Sequence, residues 1–144
     1  MKNYKFILSL IFSLLLSVSI LPNAFGAEEA GVCGMCGTSL QEGSVIFEIT
    51  YDDGKVEKLG CPGCGISKMS GKGIKSAATM DFLSREMIDA KKAYYLKGTG
   101  VGFCCKPNWL SFKSKSDAEK FSKGFGGQVL NYDQAINQQH GMHD

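Results

Sequence analysis

Gly31-Val32-Cys33-Gly34-Met35-Cys36-Gly37 sets two thiols and a thioether within four residues. The pattern returns as Cys61-Pro62-Gly63-Cys64-Gly65 and, in part, as Phe103-Cys104-Cys105, and all six cysteines of the chain fall in these three clusters. Two thiols three positions apart on a turn aim both sulfurs at one ion. The glycine after each C-x-x-C permits a backbone twist that points amides at the sulfurs and stabilises thiolate. The two C-x-x-C pairs are separated by 24 residues, somewhat more than in the C-x₂-C-x₁₅₋₂₀-C-x₂-C zinc pattern. The candidate metal ligands are therefore Cys33, Met35, Cys36, Cys61, Cys64, Cys104 and Cys105.

Thiolate together with thioether favours Cu(I), the softest common candidate. A lone methionine more often fills a gap in a core, but the glycine-rich surroundings of Met35 offer little core to fill. The alternative is a structural zinc (or iron) on Cys33, Cys36, Cys61 and Cys64, which leaves Cys104 and Cys105 unexplained. A third reading, a thiol–disulfide carrier, rests on Cys61-Pro62-Gly63-Cys64. A catalytic C-x-x-C opens a helix after a buried strand in a parallel βαβ unit, and no such unit is foreseen. Six cysteines also permit three disulfides, but disulfide frameworks spread their cysteines to close long loops. Cys104 and Cys105 could pair with each other only through a strained ring. No C-x-x-C-H, no Ser/His/Asp set and no paired carboxylates stand out, and both histidines, His140 and His143, lie at the end of the chain. An enzyme is not expected.

These clusters need a scaffold, and the first residues are not part of it. Lys2 and Lys5 precede an apolar run of 16 residues, Phe6 to Leu21, closed by Pro22. The run is short for a membrane span, and Ala24-Phe25-Gly26 offers small residues for a signal peptidase. Cleavage after Gly26 removes 26 of the 144 residues and leaves 118. The first cysteine, Cys33, lies well past the apolar run, so no lipid anchor is expected. The expectation is a periplasmic protein with no membrane anchor, monomeric. Without the two lysines of the leader, 14 basic residues balance 14 acidic ones. That excludes the basic face that nucleic acid or an anionic membrane requires. One modest core is the most that this length supports, and metal would reinforce it.

Val45 to Tyr51 is β-branched and aromatic and predicts a strand. Asp52-Asp53-Gly54 predicts a hairpin turn, with Lys55 to Leu59 returning. Ile66 to Ser70 reads as a short helix, and Ile74 to Phe82 and Ala93 to Leu96 as strands, with Met87 to Ala90 a short apolar piece. Trp109 to Phe112 is a further strand. Ser116-Asp117-Ala118-Glu119 has the form of a capping box, opening a helix with Ala118, Phe121 and Phe125 on one face and Gly126-Gly127 at its end. Gln128 to Tyr132 reads as the last strand. The fold class is α+β: two small ββαβ-like modules packed together, at about 33–82 and 87–138, behind a cleavable signal peptide. Residues 27–138 form the domain, and 139–144 read as a disordered tail.

The chain resembles the NosL family, the copper-binding accessory proteins of nitrous oxide reductase. The likeness runs from Cys33-Gly34-Met35 through Tyr51-x-x-Gly54 to Met87-Ile88-Asp89-Ala90-x-x-Ala93-x-Tyr95. It continues through Phe112-x-Ser114-x-x-Asp117-Ala118-Glu119-x-Phe121 to Gly126-Gly127-x-Val129-Leu130. The resemblance implies two ββαβ modules, no catalytic activity, Cu(I) binding outside the cytoplasm, and delivery to a copper enzyme or another copper carrier. The family's C-x-M falls on Cys33 and Met35. Its second methionine falls at Cys104, where a thioether has become a thiol with Cys105 beside it. Cys36 and Cys61 look like additions, while Cys64 lies where many relatives have a sulfur residue. On this pattern Cys33 and Met35 are joined by Cys104, with Cys36 or Cys105 as a further thiolate.

Overall fold

Alternate side chains of the segment after the first cysteine loop, Val45, Phe47 and Ile49, are fully buried, as the two-residue period of a strand with one covered face requires. The computed structural model describes residues 31–41 and 44–140; the leader segment and residues 141–144 lie outside them. Strand β1 (Phe47–Tyr51) turns through Asp52-Asp53-Gly54 into β2 (Val56–Leu59). Gly54 takes the positive φ of 84° that the tight turn demands. Helix α1 (Pro62–Lys68) follows, then β3 (Ile74–Met80) and β4 (Met87–Asp89). The second half repeats the plan with β5 (Tyr94–Lys97), β6 (Trp109–Phe112), α2 (Lys115–Phe125) and β7 (Gln128–Leu130), then adds α3 (Tyr132–His140).

Two antiparallel sheets result, in the orders β2-β1-β3-β4 and β6-β5-β7. In each the first strand of the module lies between its second and third. The α+β class and the ββαβ repeat foreseen from the sequence are both present.

Four local expectations are corrected. Helix α1 begins at Pro62, inside the second cysteine cluster, rather than at Ile66. Helix α2 is capped by Ser114, whose hydroxyl accepts from the Asp117 N–H at 3.3 Å, so the helix starts two residues before the expected box at Ser116. Ala118 and Phe121 on this helix turn inward, whereas Phe125 is exposed and stacks on Phe121 at 4.4 Å. The last strand stops at Leu130, and α3 runs to His140, into the segment read as tail.

All four residues of β6 are buried, because both faces of the strand are covered. Leu110 and Phe112 join Leu96, Ala118 and Phe121 beneath α2. Trp109 points the other way, into a core shared with Phe47, Ile49, Leu59, Ile66 and Tyr95. Ser111 meets Thr79 of the first sheet across a 2.8 Å hydrogen bond and donates to the Met80 carbonyl at 2.6 Å. Asp81, also buried, accepts from the N–H groups of Ser84 and Lys113 at 2.7 Å each. This polar seam joins the two modules.

Candidate metal centre

Three segments from separate parts of the chain carry the cysteines to one place. The first is a tight loop closed by a bridge between Val32 and Ser39. Inside it the Cys33 N–H donates to the Thr38 carbonyl at 2.8 Å and the Gly37 N–H to the Cys33 carbonyl at 2.9 Å. Gly37 adopts a φ of 73°, so at this cluster the glycine after C-x-x-C does serve the backbone turn.

The second segment is the start of α1, with Cys61 as N-cap residue and Cys64 in the first turn. Here the glycines have another purpose than the expected twist. A Cβ on Gly63 would come within 2.5 Å of the Trp109 ring, and one on Gly65 would collide with the Phe47 ring. Both residues are helical and buried, and the missing side chains let α1 lie against β1 on one side and β6 on the other. The third segment is the loop from β5 to β6. Its entry is pinned where the Gly100 N–H donates to the Phe125 carbonyl at 2.8 Å, and its exit where Asn108 Nδ2 donates to the Thr99 carbonyl at 3.0 Å.

The Sγ atoms of Cys36, Cys64, Cys104 and Cys105 all lie within 4.8 Å of one another. Cys36 and Cys104 are 3.0 Å apart, Cys104 and Cys105 3.4 Å, and Cys64 and Cys105 3.6 Å. Cys61 adjoins the group at 3.6 Å from Cys64. All six cysteines are free. Cys33, Cys61 and Cys64 are 2, 4 and 5 % exposed, while Cys36 is open to solvent. Met35 is 47 % exposed, at the tip of the first loop. The four-thiol group draws on all three clusters, a combination that neither expected layout contained.

The thiols differ sharply in acidity. Burial works against the Cys36 thiolate, but hydrogen bonds with Cys104 and the Thr38 hydroxyl outweigh it and bring the thiol down to about 6. The Cys64 thiol is the main cause of a fall to about 5 at Cys61, against the cost of burial and with help from the backbone amides of Cys64 and Cys105. The same contact drives Cys64 upward, and burial adds to it. Burial likewise pushes up Cys104 and Cys105. Two thiolates are thus cradled by neighbours that keep their protons. Each ion that binds must displace some of those protons.

An ion pair supports the site from behind. Lys68, at the end of α1, donates to Glu57 Oε1 at 2.5 Å, and the Tyr51 hydroxyl donates to Glu57 Oε2 at 2.7 Å. The Lys68 and Tyr51 hydrogen bonds hold the Glu57 carboxyl below its usual range. Glu57 Oε1 also lies 3.0 Å from where a Cβ on Gly34 would stand, so the first cysteine loop rests against this pair.

A family model described as NosL matches residues 65–140. Among curated proteins, an HTH-type transcriptional repressor of Bacillus subtilis (strain 168), CutR, is 29% identical over 108 residues. The match covers 73% of this chain and 56% of the repressor, so the chain spans little more than half the length of that relative. A crystal structure of the copper chaperone NosL from Shewanella denitrificans aligns with a TM-score of 0.64. It covers 74% of this chain and 90% of that one at 21% identity, a likeness of fold.

Proposed function

The chain belongs to the NosL family, and from that premise we propose that it is a Cu(I)-binding carrier that hands copper to a protein partner. One observation carries the reading: thiols from three distant segments converge on one group of sulfurs, with no carboxylate in that group among the described residues. All-sulfur donor sets select soft ions, and Cu(I) is the softest of the common ones. Zinc would accept four thiolates, but a closed tetrahedral site would leave Cys33 and Cys61 idle beside it. Phe47, Ile49, Leu59, Ile66, Tyr95 and Trp109 supply most of the core against which the buried thiols pack.

The geometry suits a carrier rather than a catalyst. Cys61 and Cys64 form the buried floor, and Cys36 the solvent side. An incoming thiolate can add to the ion at Cys36 while the floor still holds it, so transfer proceeds by stepwise exchange of sulfurs. Val32, Met35 and Phe103 are exposed apolar residues next in sequence to Cys33, Cys36 and Cys104, and they offer a partner a contact surface beside the ion. The reading extends to place and client. Export with loss of residues 1–26 puts the protein in the periplasm, where a copper enzyme such as nitrous oxide reductase receives the metal. Support comes from the basic and apolar leader and from the family.

Competition against a Cu(I) chelator, reduced and anaerobic, tests the site. Replacing Cys104 and Cys105 together by serine should weaken Cu(I) binding by well over tenfold, which is about 1.4 kcal/mol. Unchanged affinity would sink this assignment. Circular dichroism of the metal-free protein separates the alternative: an apoprotein that is unfolded and rescued by zinc alone is a structural zinc domain. Intact mass of the mature protein checks cleavage after Gly26.

A further inference from the structure

We propose that the thiol cluster holds more than one Cu(I), as a sulfur-bridged multinuclear centre; this rests on the copper reading above and specifies its capacity. The four mutually close thiols are not isolated. Their contacts run on as a chain of sulfurs: Cys36 to Cys104 at 3.0 Å, Cys104 to Cys105 at 3.4 Å, Cys105 to Cys64 at 3.6 Å, and Cys64 to Cys61 at 3.6 Å. Five of the chain's six cysteines therefore belong to one connected network.

Two or three sulfurs satisfy a single Cu(I). With a metal–sulfur bond of about 2.3 Å, sulfurs sharing one ion stand about 4 Å apart, a spacing that the group within 4.8 Å accommodates. One ion would leave two or three of the five thiols unused and in van der Waals contact with its ligands, in a group whose Cys61 and Cys64 are buried where water cannot compensate. A thiolate bound to one Cu(I) keeps lone pairs for a second. Bridging thus lets every sulfur serve without adding ligands. If each of the five sulfurs bridges two three-coordinate ions, the network holds about three Cu(I). The balance is simple: each protonated thiol that becomes a ligand releases its proton to solvent as its sulfur–copper bonds form, with no change of oxidation state.

The test is a count. Cu(I) is added as its acetonitrile complex to the reduced, metal-free protein under anaerobic conditions. Copper retained against a chromogenic chelator is measured, and native mass spectrometry gives the number of ions on the monomer mass. Two or more ions per monomer, filling without large populations of the singly loaded form, are expected. Cys61→Ser and, separately, Cys105→Ser should lower that number while leaving at least one ion bound. Cys105 is part-exposed in a loop, which keeps the test available if Cys61→Ser fails to fold. Saturation of the wild-type protein at one ion overturns the multinuclear centre and leaves the carrier reading standing. Failure to retain any Cu(I) overturns both.

Discussion

Gly65 shows how much a single methyl group can decide. Its Cα faces the Phe47 ring with no room for a Cβ, so Gly65→Ala must push α1 off β1. Overpacking of this kind costs about 1–3 kcal/mol; a fall in the denaturation midpoint at unchanged slope is the expected result. Local spacing cannot reveal this, since the contact joins residues far apart in sequence; the C-x-x-C-G pattern suggested a backbone role that holds at Gly37 but not here. The cysteines themselves were legible as a set, because their clustering has no packing explanation. Which four would meet was not, because that depends on how the loops fold back. Asp81 is a second single-residue case. Burial opposes its charge, yet the Ser84 and Lys113 amides hold its carboxyl below the usual range. A carboxyl lower in the folded than in the unfolded state adds stability above about pH 4 and loses it as pH falls through the folded value. Asp81→Asn should therefore destabilise at neutral pH, by about 1–3 kcal/mol for the acceptor it removes. It should also flatten the acid limb of the stability–pH curve, measured by denaturant titration across that range.

The elements read from sequence were those whose apolar period or turn residues were unambiguous: the hairpin around Gly54, the strand at Trp109, the helix ending at Gly126. The errors fell at helix starts. Ser114 and Ser116 both offer a hydroxyl ahead of an acidic residue, and only backbone geometry separates them: Ser114 is extended at φ −123°. Ser114→Ala should cost about 1 kcal/mol, whereas Ser116→Ala, on an exposed helical position, should stay within about 0.5 kcal/mol. Thermal unfolding of the two variants side by side tells them apart. Helix α3 was missed although its cap is written in the chain. The Asn131 side chain accepts from the Gln134 N–H at 2.9 Å, and the Gln134 side chain accepts from the Asn131 N–H at 2.9 Å. That reciprocal pair was hidden because Tyr132 reads as a strand residue.

At the scale of the molecule, the repeated ββαβ plan was visible from the order of segments, but the way the halves join was not. The join is made by small residues and by polar groups that carry little signal alone: Gly63 under Trp109, Thr79 and Ser111, Asp81 and Lys113. α1 packs on both sheets, Val45 and Phe82 of the first half pack into the cluster beneath α2, and the polar seam crosses between the sheets, so the two halves share their cores. Unfolding should be one cooperative event, with the fluorescence of Trp109 and far-UV circular dichroism tracing coincident transitions. A dichroism change that precedes the fluorescence change would show that the halves come apart separately.

The wedge of α1 between two aromatic rings has a further consequence for the sulfurs. A helix that cannot rotate or slide turns Cys61 and Cys64 into an anvil, fixed whatever they hold. Adjustment to the size or number of ions then falls to the two loops that close over them, residues 31–40 and 98–108, which act as jaws of unequal reach. Of the sulfurs on the two jaws, Cys36 is the one fully exposed to water, and there the grip would slacken first. On the carrier reading proposed above, cargo would leave along a set direction, and a partner taking it would approach from that side.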